Sequence, residues 1–294
     1  FSIMAAGTTE DTKLLQASEV LQSSYDIWDD DLRKKTQDDL VRMVLVEPAD
    51  EVYRFANSMR LDLHPLRIMW VICPSPAEKY TYGSADRANI KYEIKKHLRA
   101  NRKTGIVDTF DNSVVAFMND DKYLEFDKDL CESLTKYLQE QYPGMILTWC
   151  GALDSITDAK RAYLLLEEYF PTACAIYAHK TVLTQRELSF AGNCHDTLHR
   201  ATVLPEKYRL ILKPLQGRDE KTAIDTLSAY LIDADKNIAA AAKYLHVHES
   251  TVKYRLNNIK RKLGYDIAEM PGVYSLYKAL ALNRLLHARN NIKY

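Results

Sequence analysis

The sequence predicts an α+β fold in which a ferredoxin-like sheet domain precedes an all-helical domain. The first observation is the order of apolar runs and amphipathic segments between residues 61 and 180, which is strand, helix, strand, strand, helix, strand. This is the order of the split βαβ arrangement. The second observation is that the apolar residues from 221 to 294 recur at helical spacing.

The predicted sheet domain begins with a short apolar run over residues 66–73, which is ended by proline. A run of this length bounded by proline is typical of a buried strand. The segment 85–98 is predicted as a helix because Ile90, Ile94 and Leu98 lie four residues apart. The remaining elements are strands at 104–108 and 113–118 joined by a turn at 110–112, a helix at 124–141, a strand at 145–151, a helix at 157–169 and an edge strand at 174–177.

Two further segments are predicted to connect domains. Residues 1–60 form an acidic helical connector, since eleven acidic residues oppose five basic ones up to Asp50. This connector is either a coiled-coil-like dimer segment leading in from an upstream domain or a pair of helices packed on the next domain. Residues 181–220 are predicted as a mixed connector with a short helix at 206–212, because glycine and proline interrupt the pattern there.

The composition is that of an ordinary globular protein of 294 residues, with 47% hydrophobic residues, 27% charged residues and a net charge of zero. The five cysteines form no Cys-x-x-Cys pair, which argues against a disulfide framework and favours a reducing compartment. No apolar run approaches about 18 residues and the first residues show no signal-peptide pattern. We therefore expect a cytoplasmic protein without a membrane span, and the start at Phe1 leaves open a further domain upstream.

The segment from Asp235 to Asp266 contains the most specific pattern in the sequence. Asn237 is a good N-cap for a short helix, in which four consecutive alanines allow a second helix to cross at close range. A turn at residues 246–248 follows, and His246 is expected to adopt the left-handed conformation there. The second helix runs to Gly264, a typical C-terminal stop, and carries one apolar stripe of Val252, Leu256, Ile259 and Leu263.

The exposed face of this second helix predicts binding to double-stranded DNA. From Lys236 to Leu263 seven basic residues oppose only Glu249, for a net charge of +6, and such a local field attracts a polyanion. A small-residue helix, a tight turn and a basic helix together are typical of a helix-turn-helix. The predicted DNA-binding residues are His248, Glu249, Ser250, Thr251, Lys253, Tyr254, Arg255, Asn257, Asn258, Lys260, Arg261 and Lys262.

Position on the helix divides these residues by their expected role. Ser250, Tyr254 and Asn257 are expected to face the floor of the major groove. His248 is placed to hydrogen-bond a phosphate, and Glu249 either accepts from a cytosine amino group or caps its own helix. The residues expected to contact phosphates are Thr251, Lys253, Arg255, Lys260, Arg261 and Lys262, of which Arg255 alternatively braces the helix.

The same segment resembles the C-terminal helix-turn-helix of the PucR/CdaR family of bacterial transcription regulators. That family has an Asn-led alanine-rich helix, a Val-His turn, a Thr-Val-x-Tyr-Arg-Leu core and a Leu-Gly stop. Arginine or proline followed by asparagine is common in the family where this chain has Glu249-Ser250, so an unusual sequence preference is expected here. The residues that match the pattern are Asn237, Ala242, Leu245, Val247, His248, Thr251, Val252, Tyr254, Arg255, Leu256, Ile259, Leu263 and Gly264.

The resemblance also implies that the sheet domain is a degenerate nucleotide-cyclase-like domain of the GGDEF type. An active diguanylate cyclase of that type has a Gly-Gly-acid-Glu-Phe signature on the hairpin, with glycines that admit the nucleotide and acids that hold metal. The corresponding residues here, 109–114, contain no glycine pair and one acid. We therefore expect no catalytic residues and no enzymatic activity.

One other group of residues has the spacing of metal ligands. Cys194 and His195 are adjacent, and His195 and His199 lie at i and i+4. No further motif completes a set of four ligands, so a polar loop is the better interpretation, and neither a metal nor a cofactor is expected. His246 and His248 would share a face in a strand but point apart in a turn.

Together these patterns favour a sequence-specific transcription regulator of the PucR/CdaR type. It is expected to act on DNA as a homodimer and to be controlled by a small-molecule effector or an upstream domain. The alternative is a nucleotide- or metabolite-binding enzyme whose helical C-terminus is regulatory, which the missing hairpin signature weakens. A pure interaction scaffold would leave the basic helix without a use. The predicted domains are 1–60, 61–180, 181–220 and 221–294.

Overall fold

The computed structural model describes residues 39–61, 63, 66–119, 126–200 and 204–291, and it has the predicted α+β fold. The strands are β1 (Leu66–Pro74), β2 (Gly105–Phe110), β3 (Ser113–Asn119), β4 (Met145–Cys150) and β5 (Val182–Thr184). The helices are α1 (Asp39–Val46), α2 (Ala49–Ser58), α3 (Ser84–Ala100), α4 (Lys128–Gln141), α5 (Ile156–Ile176), α6 (Gln185–Arg200), α7 (Leu204–Leu212), α8 (Glu220–Ser228), α9 (Ile238–Tyr244), α10 (Glu249–Leu263) and α11 (Gly272–Asn291).

The five strands form one sheet in the order β2-β3-β1-β4-β5. Strand β1 pairs antiparallel with both β3 and β4, and β2 and β3 form an antiparallel hairpin. The first four strands therefore have the ferredoxin-like order that the sequence predicts. The hairpin turn is the dipeptide Asp111-Asn112 between the paired residues Phe110 and Ser113, and Asp111 has a positive φ of 49°. Asp and Asn tolerate that conformation better than most residues.

Strand β1 is buried on both faces of the sheet, which explains its continuous apolar run. Side chains of a strand alternate between faces. Ile68, Trp70 and Ile72 pack with α3 and α4 on one face. Met69 and Val71 pack on the other face, in a core that also contains residues of α1, α2, α5 and the C-terminal helices. One apolar core thus extends from the sheet into the C-terminal helical region.

The described part of the predicted acidic connector packs on the sheet. Helices α1 and α2 bury Leu40, Val41 and Val44 together with Val52 and Phe55, each 3% exposed or less. These two helices cover the same face of the sheet as α5. The first 38 residues, on which the dimer-segment alternative rests, lie outside the described residues.

The edge strand predicted at residues 174–177 is wrong, because α5 continues to Ile176. The helix predicted over 157–169 ends before Pro171, and proline inside a helix removes one hydrogen bond and crowds the preceding turn. Burial outweighs that cost here, because Phe170, Ala173 and Ile176 all enter the core from one helical face. The edge strand is β5 instead, which pairs parallel with β4.

Residues 181–220 are more helical and more buried than the predicted connector. They contain β5, α6 and α7. Helix α6 buries Leu188, Ala191 and Cys194 in the main core. Cys194 and His195 therefore lie in a packed helix, and the polar loop predicted for them is wrong.

Candidate DNA-binding surface

Helix α8 leads into the helix-turn-helix through a π-helical segment, Ala229–Asp233. The sequence predicts one helix over 222–232 at this place, and the structure divides it into these two parts. Asp235 and Lys236 then adopt positive φ angles of 47° and 67°, which turn the chain towards α9. Few non-glycine residues accept this conformation.

Helix α9 begins with the predicted cap. The side-chain Oδ1 of Asn237 accepts a hydrogen bond of 3.0 Å from the backbone N–H of Ala240. This bond satisfies one of the free amides of the first turn. Ala241 and Ala242 are 0% and 4% exposed, and α9 packs directly on α10. Side chains of this size allow the close approach that the sequence predicts.

The turn after α9 is a Schellman motif with histidine at the left-handed position. His246 has a φ of 53°, as predicted. Its N–H donates to the carbonyl of Lys243 at 3.3 Å, and the N–H of Val247 donates to the carbonyl of Ala242 at 3.0 Å. These are the two bonds that define the motif. Val247 is half-buried against the core, so the turn fixes the angle between the two helices.

His248 caps α10, the second helix of the helix-turn-helix. Its Nδ1 accepts a hydrogen bond of 3.3 Å from the backbone N–H of Ser250 and lies 2.8 Å from the Ser250 Oγ. The sequence offered Glu249 as the cap, and that option is wrong because Glu249 is the first residue inside the helix. Its carboxylate there suits the positive end of the helix dipole.

The buried face of α10 is the predicted apolar stripe. Val252, Leu256 and Ile259 are 0%, 7% and 3% exposed, and Leu263 is half-buried against the same core. The helix ends at Gly264, which has a φ of 79° and donates its N–H to the carbonyl of Lys260 at 2.9 Å. Packing of this stripe points the opposite face of the helix outward.

The twelve predicted DNA-binding residues all lie on α10 or at its cap. Tyr254 is 66% exposed. His248, Glu249, Ser250, Lys253, Asn257, Lys260, Arg261 and Lys262 are also exposed, and Thr251, Arg255 and Asn258 are half-buried. The half-buried three share one flank of the helix, beside α8.

Two contacts reduce the number of freely available basic groups on this surface. The Lys260 Nζ donates to the Asp266 carboxylate, and this hydrogen bond lowers the pKa of Asp266. The Arg261 guanidinium donates to the Asn258 Oδ1. The negative charge of Asp266 therefore compensates the positive charge of Lys260. The net charge of +6 between Lys236 and Leu263 does not include Asp266.

A buried ion pair lies inside the helical region, where this region meets the end of α5. The two guanidinium nitrogens of Arg284 on α11 donate to the Asp233 carboxylate at 2.8 and 2.5 Å. Arg284 also donates to the carbonyl of Ile176, the last residue of α5, at 2.6 Å. The side chain of Asp233 is 2% exposed and that of Arg284 is 20% exposed. Bidentate geometry and a charged donor and acceptor are the features of a strong hydrogen-bonded ion pair.

A second ion pair lies at the same junction. The Lys180 Nζ is 2.6 Å from Glu187 Oε1 on α6 and 3.1 Å from Asp235 Oδ1, just before α9. Burial alone would lower the pKa of Lys180, but the two carboxylates outweigh it and raise this pKa. The orientation of the helix-turn-helix is thus fixed from two sides. No local pattern predicts these contacts, since Arg284 and Asp233 are 51 residues apart and Lys180 and Asp235 are 55 residues apart.

The suspected metal ligands do not assemble into a larger set. His195 and His199 lie on α6 with ring centroids 4.2 Å apart. Burial raises the pKa of the neighbouring Cys194 thiol to about 12, and a thiol binds metal as the thiolate. Within the described ranges no group of three or more His, Cys, Asp or Glu residues is arranged to hold a metal ion. His246 and His248 have the separate roles described above.

Among the helices of the described residues, none is long and apolar enough to cross a membrane.

Comparison with known proteins identifies the helical region. Residues 223–282 match the PucR C-terminal helix-turn-helix domain, which confirms the resemblance for that part of the chain. The chain is also similar to a crystal structure of a regulator of polyketide synthase expression from Bifidobacterium adolescentis. That similarity has 19% sequence identity and a TM-score of 0.38, and it covers 87% of this chain and 96% of the other. No curated protein matches the chain.

Proposed function

We propose that this chain, whose residues 223–282 match a PucR-type helix-turn-helix domain, is a sequence-specific transcription regulator that inserts α10 into the major groove of DNA. One observation carries the proposal: the face of α10 opposite its buried stripe is exposed and rich in hydrogen-bond donors and positive charge. A recognition helix needs those properties, since phosphate contacts position it and base contacts give specificity.

The proposed roles follow the position of each residue around α10. Ser250, Tyr254 and Asn257 face the groove floor and contact base edges. His248 fixes the start of the helix and orients Ser250 through their 2.8 Å contact. The other predicted residues lie towards the phosphates. Among them, the negative charge of Glu249 disfavours close contact with a phosphate. The residues that contact phosphates are Thr251, Lys253, Arg255, Asn258, Lys260, Arg261 and Lys262.

The proposal includes a homodimer and control by a signal. Two copies of α10 read half-sites about 34 Å apart, one helical turn of DNA. A small-molecule effector or an upstream domain acts on the junction between the sheet domain and the helix-turn-helix. An open cleft of about 1090 Å³ at this junction supports this, because it lies between the end of α5, α8 and α11 and has room for a small molecule.

Binding to a generic DNA duplex of about 30 base pairs, long enough for two such half-sites, tests the function. We expect fluorescence anisotropy to give a dissociation constant that rises steeply between about 50 and 200 mM salt, because bound phosphates release counterions. We also expect two chains per duplex at saturation. Absence of binding at the lower salt concentration would refute the regulator function.

Removing one phosphate-contacting charge should weaken binding to every sequence alike. For Lys253→Ala we expect lower affinity for all duplexes and a salt slope reduced by about one. The matched control is Lys136→Ala, the same change at an exposed position of α4 in the sheet domain, which should leave both values unchanged. If both changes lowered the affinity and the salt slope equally, DNA binding would depend only on the net charge of the protein.

Removing a base contact should instead change sequence preference. For Asn257→Ala we expect discrimination between a site selected from random duplexes and generic DNA to fall by about 1–3 kcal/mol. Non-specific affinity should stay close to that of the unmodified chain, because Asn257 carries no charge. If Asn257→Ala lowered selected and generic binding by the same factor, its role at the groove floor would be wrong.

A further inference from the structure

A groove runs along the flank of α10 where that helix meets the beginning of α8. It has a volume of about 550 Å³ and opens beside the exposed Tyr254. Asp219 and Thr222 line the α8 side of the groove, and Arg255 and Lys262 line the α10 side. The groove is therefore continuous with the face of α10 proposed to read bases, and its α8 wall belongs to no predicted DNA-binding segment.

The charges around this groove favour an anion. Among the described residues that line it, Arg255, Arg261 and Lys262 are basic and Asp219 alone is acidic. Arg261 and Lys262 are exposed and Arg255 is half-buried. The hydrogen bond from Arg261 to Asn258, which also lines the groove, holds this guanidinium at the rim. Three cations against one carboxylate give the groove a local positive field.

The dimensions of DNA place a phosphate backbone beside this flank. An α-helix with its side chains is about 10–12 Å across, and the major groove is about 12 Å wide. A helix that fills the major groove therefore has a sugar-phosphate strand along each of its flanks. On one flank of α10 the space next to the helix is the groove that α8 closes.

We propose that the groove between α8 and α10 holds the sugar-phosphate backbone of one DNA strand, so that Asp219, which directly precedes α8, and Thr222 of α8 form part of the DNA interface. This rests on the proposed function and adds a second helix to the contact surface. Thr222 offers a hydroxyl to a phosphate oxygen, which accepts a hydrogen bond from it. Asp219 repels the phosphates and keeps binding weaker than the three cations alone would make it.

Removing the charge of Asp219 is expected to tighten DNA binding. Misfolding would weaken DNA binding, so it cannot produce the expected result. Asp219 makes no side-chain capping bond to α8, so Asp219→Asn removes only its charge. We expect this variant to bind a generic 30-base-pair duplex about threefold more tightly at low salt, with a smaller gain at high salt. The matched control is Asp129→Asn, the same change at an exposed position of α4 in the sheet domain. It makes the same change in net charge and should leave the affinity nearly unchanged.

A charge introduced at Thr222 gives the opposite sign. We expect Thr222→Glu to bind the duplex at least about threefold more weakly than Thr222→Gln, which has the same shape without the charge. Urea unfolding of both variants verifies that they are equally stable. The affinity difference between them then reports the charge in the groove alone.

The outcomes separate this inference from the function on which it rests. A gain for Asp219→Asn that exceeds the gain for Asp129→Asn supports the α8 contact. Equal gains, with normal binding by the unmodified chain, overturn the α8 contact and leave the regulator function intact. No binding by the unmodified chain overturns both.

Discussion

Replacing Arg284 by methionine is expected to destabilise the protein by about 3–5 kcal/mol, because it leaves the buried Asp233 carboxylate without its partner. The same change removes the hydrogen bond to the Ile176 carbonyl that ties α11 to the end of α5. Urea unfolding followed by circular dichroism measures the loss. We also expect weaker DNA binding, since the helix-turn-helix is no longer held in one orientation on the sheet domain.

A double variant separates the buried charge from the rest of the contact. Arg284→Met combined with Asp233→Leu replaces the ion pair by apolar side chains of similar size, and such replacements are often neutral or stabilising. We therefore expect the double variant to recover most of the lost stability. If the single and double variants were equally unstable, the unpaired carboxylate would not be the cause. Recovery of stability without recovery of DNA binding would indicate that the pair fixes orientation as well.

Shortening Ile259 to alanine should remove about 2–5 kcal/mol of stability by leaving a cavity under the recognition helix. Ile259 is 3% exposed and follows Val252 and Leu256 along the buried side of α10. We expect the unfolding midpoint to fall and DNA binding to be lost together, because the helix carries every proposed base contact. The same urea and anisotropy measurements report both quantities.

Tyr254→Ala on the exposed side of the same helix is the control for Ile259→Ala. Tyr254 is 66% exposed, and surface changes of this kind usually alter stability by less than about 0.5 kcal/mol. We expect DNA binding to weaken while the unfolding free energy stays nearly constant. A large loss of stability in Tyr254→Ala would mean that this ring packs on the protein instead of facing DNA.

The sheet and the helix-turn-helix were predicted for the same physical reason. The ferredoxin-like strand order follows from short apolar runs with clear stops, such as the hairpin at Asp111-Asn112. The helix-turn-helix follows from the Asn237 cap, the left-handed His246 and the apolar stripe of α10. Each of these signals acts between residues only a few positions apart, so the local sequence contains all the information needed.

The errors arose where long-range packing overrides a local signal. Pro171 suggests an end to α5, but burial of Phe170 and Ala173 carries the helix on to Ile176. Glycine and proline suggest a connector over residues 181–220, where α6 instead fills the core between α5 and the C-terminal helices. Glu249 was offered as a cap, but the His248 ring accepts the Ser250 N–H instead.

By itself, the sequence determined the α+β class and the complete helix-turn-helix, including which face of α10 is exposed. Capping bonds, turn conformations and helical periodicity are local, and about 30 residues between Asp235 and Asp266 contain them. Only the tertiary structure decided how the helix-turn-helix is oriented on the sheet domain. Arg284 meets the Asp233 carboxylate and the Ile176 carbonyl across 51 and 108 residues of chain, and α8 closes the groove beside α10. Such contacts depend on the packing of the whole core, which no local pattern records.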